Sequence, residues 1–205
     1  MISTELKLDF EKCGGLIPAI AQDWQTGEVL MLAYINQEAW EETLKSGNAT
    51  YWTRSRQKLW KKGEESGNVQ QIVSIQSDCD DDTLLVRVIQ KNDCACHTGS
   101  PTCFFKTIYG DPSATSMILA ELKRVIHDRM VNPDEGSYTC KLFKDETKMC
   151  KKIVEEATEY VLAIKDKDKD ETAWELADLI YHVMVAMEKE DVDMKDVYEK
   201  LAERR

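Results

Sequence analysis

Two groups of residues in this chain have the types and spacing of metal-binding sites, and the first lies in its amino-terminal half. Residues 78–82 read Asp-Cys-Asp-Asp-Asp, and residues 96–103 read Cys-His-Thr-Gly-Ser-Pro-Thr-Cys. Thiolates bind zinc, carboxylates bind harder divalent cations, and an imidazole moves a proton near neutral pH. These residues are therefore suited to a site in which a metal activates water on a charged substrate.

The second group consists of carboxylates in the carboxyl-terminal half. Glu156 and Glu159 are three residues apart, as are Glu175 and Asp178. On a helix this spacing separates two side chains by about 60°, so each pair can converge on one cation. The alternative for a single pair is an acidic, solvated helix face. Two pairs from adjacent helices would repel each other unless a cation neutralised them, so we predict a second metal site.

Cys79, Cys96 and Cys103 are the predicted zinc ligands. Three protein ligands leave a fourth position for water, which is typical of a catalytic zinc site. Their spacing is not that of Cys-x-x-Cys modules, so spacing alone also allows scattered reduced thiols. His97 is a candidate base for the bound water, and the alternatives are a fourth ligand or a surface residue.

Asp78, Asp80 and Asp82 alternate along the chain. An extended strand would place all three carboxylates on one side and Cys79 on the other. A cation such as Mg²⁺ among the three carboxylates would relieve their repulsion. The alternative is a solvated acidic loop. Because residues 83–86 (Thr-Leu-Leu-Val) look like a buried strand, we expect the acidic run to enter that strand directly.

Basic residues are concentrated just before a glycine-containing segment, residues 63–68 (Gly-Glu-Glu-Ser-Gly-Asn). The chain as a whole is acidic, with 38 acidic and 27 basic side chains. A phosphate is therefore predicted to bind here, where backbone N–H groups beside glycine can also approach an anion. The alternative is a solvated hairpin tip. The basic side chains are Arg54, Arg56, Lys58, Lys61 and Lys62.

The segments around the first group predict an α+β domain of small sheets with a helix, over residues 1–110. A strand at 16–24, a turn at 25–27 and a strand at 28–34 predict a hairpin. Asn36 is a suitable N-cap for a helix over 37–45 that ends before Gly47. Segments rich in β-branched and aromatic residues predict further strands at 49–54, 69–76 and 83–90.

The turn-rich residues 109–113 mark the predicted boundary with an all-α domain over residues 114–205. An apolar stripe from Met117 to Ile126 predicts a helix that ends near Pro133. Further helices are predicted at 137–143, at 146–165 after the cap Asp145, at 172–188 and at 196–204, with a loop at 166–170. Three or four helices with short connections predict a helical bundle.

Composition excludes several classes of protein. The net charge of −11 argues against a broad nucleic-acid or anionic-membrane surface. No apolar run approaches the roughly 20 residues of a membrane span, and residues 1–7 lack a signal-peptide core, so we expect a cytoplasmic protein. Seven cysteines are an odd number, which favours reduced thiols. Cys13, Cys140 and Cys150 are predicted to be small buried apolar residues.

Three segments of the first half closely resemble phosphoribosyl-AMP cyclohydrolase of histidine biosynthesis: residues 60–68, 78–85 and 96–104. The resemblance covers residues 8–109 and implies hydrolytic opening of the adenine ring of phosphoribosyl-AMP between N1 and C6. It implies Zn²⁺ on the three predicted thiols, Mg²⁺ on the three alternating aspartates, proton transfer by His97, and a homodimer whose site takes thiolates from both chains. Thr102 stands where serine is commoner, and Cys94 is an extra thiol. The predicted substrate-binding residues are Arg54, Arg56, Trp60, Lys62, Gly63, Glu64, Ser66, Gly67 and Asn68.

Residues 137–142, 152–159 and 175–182 resemble phosphoribosyl-ATP pyrophosphatase, a member of the all-α nucleotide pyrophosphatase superfamily. The likeness spans residues 114–204. It implies that Glu156, Glu159, Glu175 and Asp178 hold Mg²⁺ on a triphosphate, with Glu156 and Glu159 as the predicted catalytic pair. Lys148 or Lys152 would neutralise phosphate oxygens.

Together the two halves predict a bifunctional hydrolase acting on small-molecule nucleotides, with consecutive reactions. One rival is a general pyrophosphatase that removes unwanted nucleoside triphosphates. A rival from another class is a zinc-stabilised nucleic-acid-binding module. The acidic balance, and the absence of aromatic residues interleaved with a basic stripe, count against that module. Neither nucleic acid nor a membrane is an expected partner.

Overall fold

A computed structural model describes residues 8–110 and 117–204, and the chain divides into two compact units, Met1–Pro112 and Ser113–Arg205. The division falls within the turn-rich break at residues 109–113. Residues 111–113 of that break lie outside the described residues, as do residues 1–7, which were considered for an export signal. No helix among the described residues is long and apolar enough to cross a membrane.

The first unit is α+β, as predicted. Its elements are β1 (Ile17–Asp23), β2 (Val29–Ile35), α1 (Gln37–Ser46), β3 (Thr50–Thr53), β4 (Lys58–Lys61), β5 (Gln70–Ser77), β6 (Leu84–Gln90) and a 3₁₀ turn (Lys91–Asp93). A four-stranded sheet has the order β2-β1-β6-β5, and β3 pairs with β4 in a two-stranded sheet. Strand β1 runs antiparallel to β2 and parallel to β6.

Local signals in the sequence account for most of these elements. The predicted first hairpin is confirmed by the antiparallel pairing of β1 with β2. Asn36 caps α1, because its side chain accepts a hydrogen bond from the Ala39 N–H at 2.9 Å. Gly47 follows the helix with a φ of 67°, a conformation that glycine adopts without steric cost.

Strand β4 is absent from the prediction. From the sequence, this segment was interpreted as a basic phosphate-binding stretch. The structure shows a four-residue strand, Lys58–Lys61, that pairs with β3, and the lysine at each end of it obscures the strand pattern in the sequence. Residues 54–57 form the turn of this second hairpin. The hairpin therefore holds the basic side chains in place.

The core of the first unit lies on one face of the four-stranded sheet. Alternate residues of β1 and β6 are buried, which is the period of a strand with one covered face. Tyr51 on β3 is fully buried, and its hydroxyl donates to Gln70 Oε1 at 2.7 Å. Burial raises the pKa of Tyr51 far above its usual range. The two sheets are thus joined by apolar packing and a buried hydrogen bond.

The described part of the second unit is all-α and has five helices, one in each of the five segments for which a helix was predicted, although the bundle was expected to contain three or four. They are α2 (Ile118–Val131), α3 (Tyr138–Lys144), α4 (Glu146–Asp166), α5 (Lys169–Lys189) and α6 (Met194–Ala202). Asp145 caps α4 as expected, since its side chain accepts from the Lys148 N–H. The loop predicted at 166–170 is only two residues, because Lys167 adopts a left-handed φ of 59° and Asp168 caps α5.

Alpha helices α4 and α5 pack along each other and contribute Met149 and Val185 to a core that also includes Ile126 and Leu142. Of the cysteines predicted to be buried, Cys140 is buried and Cys13 is half-buried. The prediction is wrong for Cys150, which is exposed because its position on α4 points away from the core.

Candidate active sites

The first unit contains a cavity of about 560 Å³ at which two distant sequence motifs meet. The β3–β4 hairpin and the segment after it form one wall, and residues 94–103 form another. Seven of the nine substrate-binding residues predicted in this unit line it: Arg56, Trp60, Lys62, Gly63, Glu64, Ser66 and Asn68. Arg54 and Gly67 do not, and the Arg54 guanidinium lies over the Tyr34 ring, 3.9 Å from its centroid.

Cys96 and Cys103 face this cavity and interact with each other. The Thr98 hydroxyl donates to Cys96 Sγ at 3.1 Å, which lowers the pKa of the Cys96 thiol. Desolvation, together with the neighbouring Cys96 sulfur, raises the pKa of Cys103 to about 11. The hydrogen bond from Thr98 therefore favours the thiolate at Cys96, and desolvation favours the protonated thiol at Cys103. A soft cation between them would allow both to be charged, so this donor pair suits zinc.

Lys62 places a buried ammonium group at the same cavity. Its Nζ donates to the Asn68 carbonyl oxygen at 3.2 Å. Burial lowers the pKa of Lys62, and negative charge on the neighbouring cysteines partly offsets that effect. His97 is exposed, lines the cavity, and has Nδ1 3.9 Å from Cys96 Sγ. A cation for an anionic substrate and a titratable imidazole therefore lie beside the thiols.

The acidic run does not form the extended strand that was predicted. Residues 78–83 form a turn between β5 and β6, and Asp81 has a φ of 60°. Asp78 accepts hydrogen bonds from the Asp82 and Thr83 N–H groups, both at 3.1 Å, and these bonds close the turn. Desolvation raises the pKa of Asp78, but these N–H groups outweigh it and the net shift is downward. The turn, rather than strand alternation, brings the carboxylates together.

Three carboxylates of this turn form one group suited to a divalent cation. One oxygen from each of Asp78, Asp80 and Asp82 lies within 4.8 Å of the others. Cys79 is exposed on the same turn and does not line the cavity. Within residues 8–110 and 117–204 of one chain, the sulfurs of Cys79, Cys96 and Cys103 do not form a cluster of this size.

The predicted acidic residues of the second unit meet between α4 and α5. Oxygens of Glu156, Glu175 and Asp178 lie within 4.8 Å of one another, and a second such group joins Glu156 to Glu155 and Glu159. Glu156 belongs to both groups and is only 4% exposed. A carboxylate buried among others requires a cation, because like charges in a poorly solvated place repel strongly.

The pKa shifts of Glu159 and Glu175 reflect their desolvation and the repulsion between neighbouring carboxylates. Desolvation and the charge on Glu156 raise the pKa of Glu159, and desolvation and the charge on Glu159 raise that of Glu175. Glu156 differs: desolvation raises its pKa, but the Lys152 ammonium outweighs it and the net shift is downward. Lys152 Nζ lies 2.5 Å from Glu156 Oε1. Lys148, the other candidate cation, lies 5.3 Å from the centroid of the Tyr138 ring.

Comparison with known proteins matches each unit to a separate enzyme family. The family model for phosphoribosyl-AMP cyclohydrolase matches residues 31–105, and that for phosphoribosyl-ATP pyrophosphohydrolase matches residues 119–205. Proteins named "Histidine biosynthesis bifunctional protein HisIE" are similar over nearly the whole chain. The one from Synechocystis sp. is 48% identical over 93% of this chain and 89% of its own length. Those from Caldanaerobacter subterraneus subsp. tengcongensis and Aquifex aeolicus are 47% and 42% identical, over 98% and 97% of this chain and 96% and 98% of their own lengths.

The chain belongs to the bifunctional HisIE family. It is a hydrolase of histidine biosynthesis with two enzymatic domains, so the bifunctional class predicted from the sequence is confirmed. The α+β unit carries the cyclohydrolase match and the helical unit carries the pyrophosphohydrolase match. The rival interpretation of the thiol motif as a nucleic-acid-binding module has no support from these matches.

Some residues at the two HisIE sites were not singled out from the sequence. Glu155 joins the carboxylate group on α4. His182 on α5 is buried, with Nδ1 2.8 Å from the Asp178 carbonyl oxygen and 3.9 Å from Glu156 Oε1, and Nε2 3.3 Å from the Tyr138 hydroxyl. The available signal was spacing, since His182 is four residues after Asp178 and shares its helix face. Cys94, which was noted from the sequence as an extra thiol, lines the cyclohydrolase cavity.

Gly63 is predicted to be intolerant of any side chain in this HisIE chain. Its φ is 81°, and a Cβ would lie 2.4 Å from the Asn68 carbonyl carbon. Gly47 is the matched control, with a φ of 67° but nothing within 4 Å of an added Cβ. We expect Gly47→Ala to cost about 1 kcal/mol and Gly63→Ala about 2–4 kcal/mol in urea unfolding. Equal losses of unfolding free energy in the two variants would mean that the backbone at Asn68 shifts to accommodate a methyl group.

Proposed function

We propose that the helical unit hydrolyses phosphoribosyl-ATP to phosphoribosyl-AMP and diphosphate, and that the first unit then opens the adenine ring of phosphoribosyl-AMP between N1 and C6. The observation that carries this proposal is the pair of family matches on one chain, each lying over a site of suitable chemistry. A cavity with thiols and a buried ammonium lies under one match, and a buried carboxylate cluster under the other. A cytoplasmic location, expected from the sequence, stays a prediction.

In the helical unit, Glu156, Glu159, Glu175 and Asp178 would hold Mg²⁺. Oxygen donors and unbalanced negative charge support this choice of ion. Bound Mg²⁺ would polarise the α–β phosphoanhydride and orient the attacking water. Lys152, which already lies in the cluster, would neutralise charge on the triphosphate. Burial of Glu156 keeps its oxygens in a defined position for this purpose.

In the first unit, Cys79, Cys96 and Cys103 would hold Zn²⁺, and Asp78, Asp80 and Asp82 would hold Mg²⁺. Bound zinc would supply an activated water for attack on the purine ring. His97, exposed at the cavity beside Cys96, would take up and return protons. Lys62 and Arg56, on the wall that contains Trp60, would bind the substrate phosphates. Thr98 would hold Cys96 as its thiolate.

The function is tested directly by supplying phosphoribosyl-ATP to the metal-loaded protein. We expect release of diphosphate followed by formation of the ring-opened product, both detected by chromatography. Ordinary deoxynucleoside triphosphates serve as the comparison, because a general nucleotide pyrophosphatase would hydrolyse them at least as fast. Hydrolysis of those triphosphates without turnover of phosphoribosyl-ATP would contradict the proposal.

We further propose a homodimer whose ring-opening site is shared between chains. Cys79 lies outside the cavity that holds the other two predicted zinc ligands, so a second copy is a natural source of the third thiolate. Large apolar side chains are also exposed on both units: Phe104 is 61% exposed, Val154 67% and Trp174 69%. Such side chains on described surfaces are suited to contact with another copy.

Mixing two inactive variants tests the shared site. Cys79→Ser and Cys96→Ser should each lose ring opening alone. After mixing in equal amounts with exchange of subunits, half of the dimers are mixed and each has one intact site, so about a quarter of wild-type activity should return. A mixture that exchanges subunits but stays inactive would contradict sharing. Light scattering provides the independent measurement of dimer mass.

A further inference from the structure

Lys152 lies where a divalent cation would compete for the same oxygen. Its Nζ is 2.5 Å from Glu156 Oε1 and 3.0 Å from Glu155 Oε1. Glu156 is the carboxylate that both three-carboxylate groups of the described helices share. The ammonium therefore neutralises the residue on which either metal position depends.

Two cations cannot both bind that oxygen closely. A magnesium ion binds a carboxylate oxygen at about 2.1 Å, closer than an ammonium, and the two positive charges repel each other. Lys152 precedes Glu156 by one helical turn on α4, and its flexible four-carbon stem lets Nζ move while the backbone stays in place. Glu156 itself is buried, which restricts its movement when Lys152 leaves.

We propose that Lys152 exchanges partners during the reaction of the helical unit, pairing with Glu156 in the free protein and with a triphosphate oxygen once metal and substrate bind. This inference rests on the proposed release of diphosphate. The displaced ammonium remains on the α4 turn beside the metal, so it meets the anion that the metal carries. Each ligand then removes an obstacle to the other, and metal binding and triphosphate binding become coupled.

A consequence distinguishes this exchange from a merely structural ion pair. If Lys152 only stabilised the helix, its removal would leave metal binding unchanged or weaken it by loosening the cluster. If the Lys152 ammonium occupies the place of the metal at Glu156, removing Lys152 strengthens binding of metal to the free protein and weakens binding of the triphosphate. The two effects have opposite signs, so loss of structure cannot produce both.

The first measurement is Mn²⁺ binding to the substrate-free protein, followed by electron paramagnetic resonance of unbound Mn²⁺. We expect Lys152→Met to bind Mn²⁺ about tenfold more tightly than the wild type, and Lys152→Arg to stay within about threefold because it keeps the charge. Lys151→Met is the matched control, since Lys151 is an exposed neighbour on the same helix, and should not differ from wild type. Binding that persists in Glu156→Gln is subtracted, because the Asp78 group is another candidate site.

The second measurement is steady-state release of diphosphate from phosphoribosyl-ATP. We expect Lys152→Met to raise KM about tenfold or more, with a smaller change in kcat, and Lys152→Arg to recover most of the loss. Mn²⁺ affinity in Lys152→Met that equals or falls below that of wild type overturns the exchange, whatever the wild type hydrolyses. An unchanged KM overturns the contact with triphosphate. Failure of the proposed function is a separate result, namely no diphosphate from the wild type.

Discussion

Glu156→Gln is expected to lower release of diphosphate from phosphoribosyl-ATP by about 10²–10³-fold. The amide keeps the size of the side chain but removes the buried charge shared by both carboxylate groups, and it takes away the partner of Lys152. Opening of added phosphoribosyl-AMP should continue at the wild-type rate, because no residue of the ring-opening cavity changes. Both reactions can be followed in one preparation by product chromatography.

The matched control for this variant is Glu146→Gln. Glu146 is exposed in the first turn of the same helix and lies outside both carboxylate groups. It should release diphosphate at the wild-type rate. If Glu156→Gln kept more than a tenth of wild-type activity, the carboxylates between α4 and α5 would not be the site of the reaction.

Cys96→Ala should produce the reverse pattern and stop the pathway after its first step. We expect ring opening to fall by about 10²–10³-fold, so that phosphoribosyl-AMP accumulates when phosphoribosyl-ATP is supplied. Cys96 is the buried thiol that Thr98 and Cys103 surround, and its loss also removes a predicted zinc ligand. Diphosphate should still be released at the wild-type rate, and bound zinc should fall with ring opening.

Cys13→Ala is the control in the same unit. Cys13 is half-buried and packs against the apolar core rather than the cavity. We expect wild-type zinc content and ring opening from it. Zinc content and ring opening that both survive Cys96→Ala would mean that other thiols hold the metal, and Cys94 is a further thiol that lines the cavity.

The elements of this protein were predictable where the signal is local. Asn36, Asp145 and Gly47 specify helix ends by their own hydrogen bonds or backbone freedom, and the structure confirms each. The spacing of apolar residues distinguishes the α+β half from the helical half for a similar reason, since each strand or helix must bury its own apolar face. Strand β4 was not predicted because it has only four residues, with lysine at both ends. Its stability depends on pairing with β3, which the local sequence does not show.

The acidic run at 78–82 illustrates the limit of reasoning from spacing. Alternation predicted three carboxylates on one side of a strand, and the carboxylates do come together. They do so through a turn closed by hydrogen bonds to Asp78, with Asp81 in a left-handed conformation. The residue types predicted correctly that the carboxylates come together, whereas the backbone path depended on where β5 ends and β6 begins.

The sequence by itself indicated both enzyme families through the resemblance of its segments to them, and the types and intervals of its thiols and carboxylates predicted metal sites. Only the tertiary structure decided which of them meet. It brings the hairpin of Trp60 and Lys62 to the thiols of Cys96 and Cys103, leaves Cys79 outside that cavity, and places Lys152 against the buried Glu156. These meetings depend on how strands and helices pack over long sequence separations, and no local pattern encodes that packing.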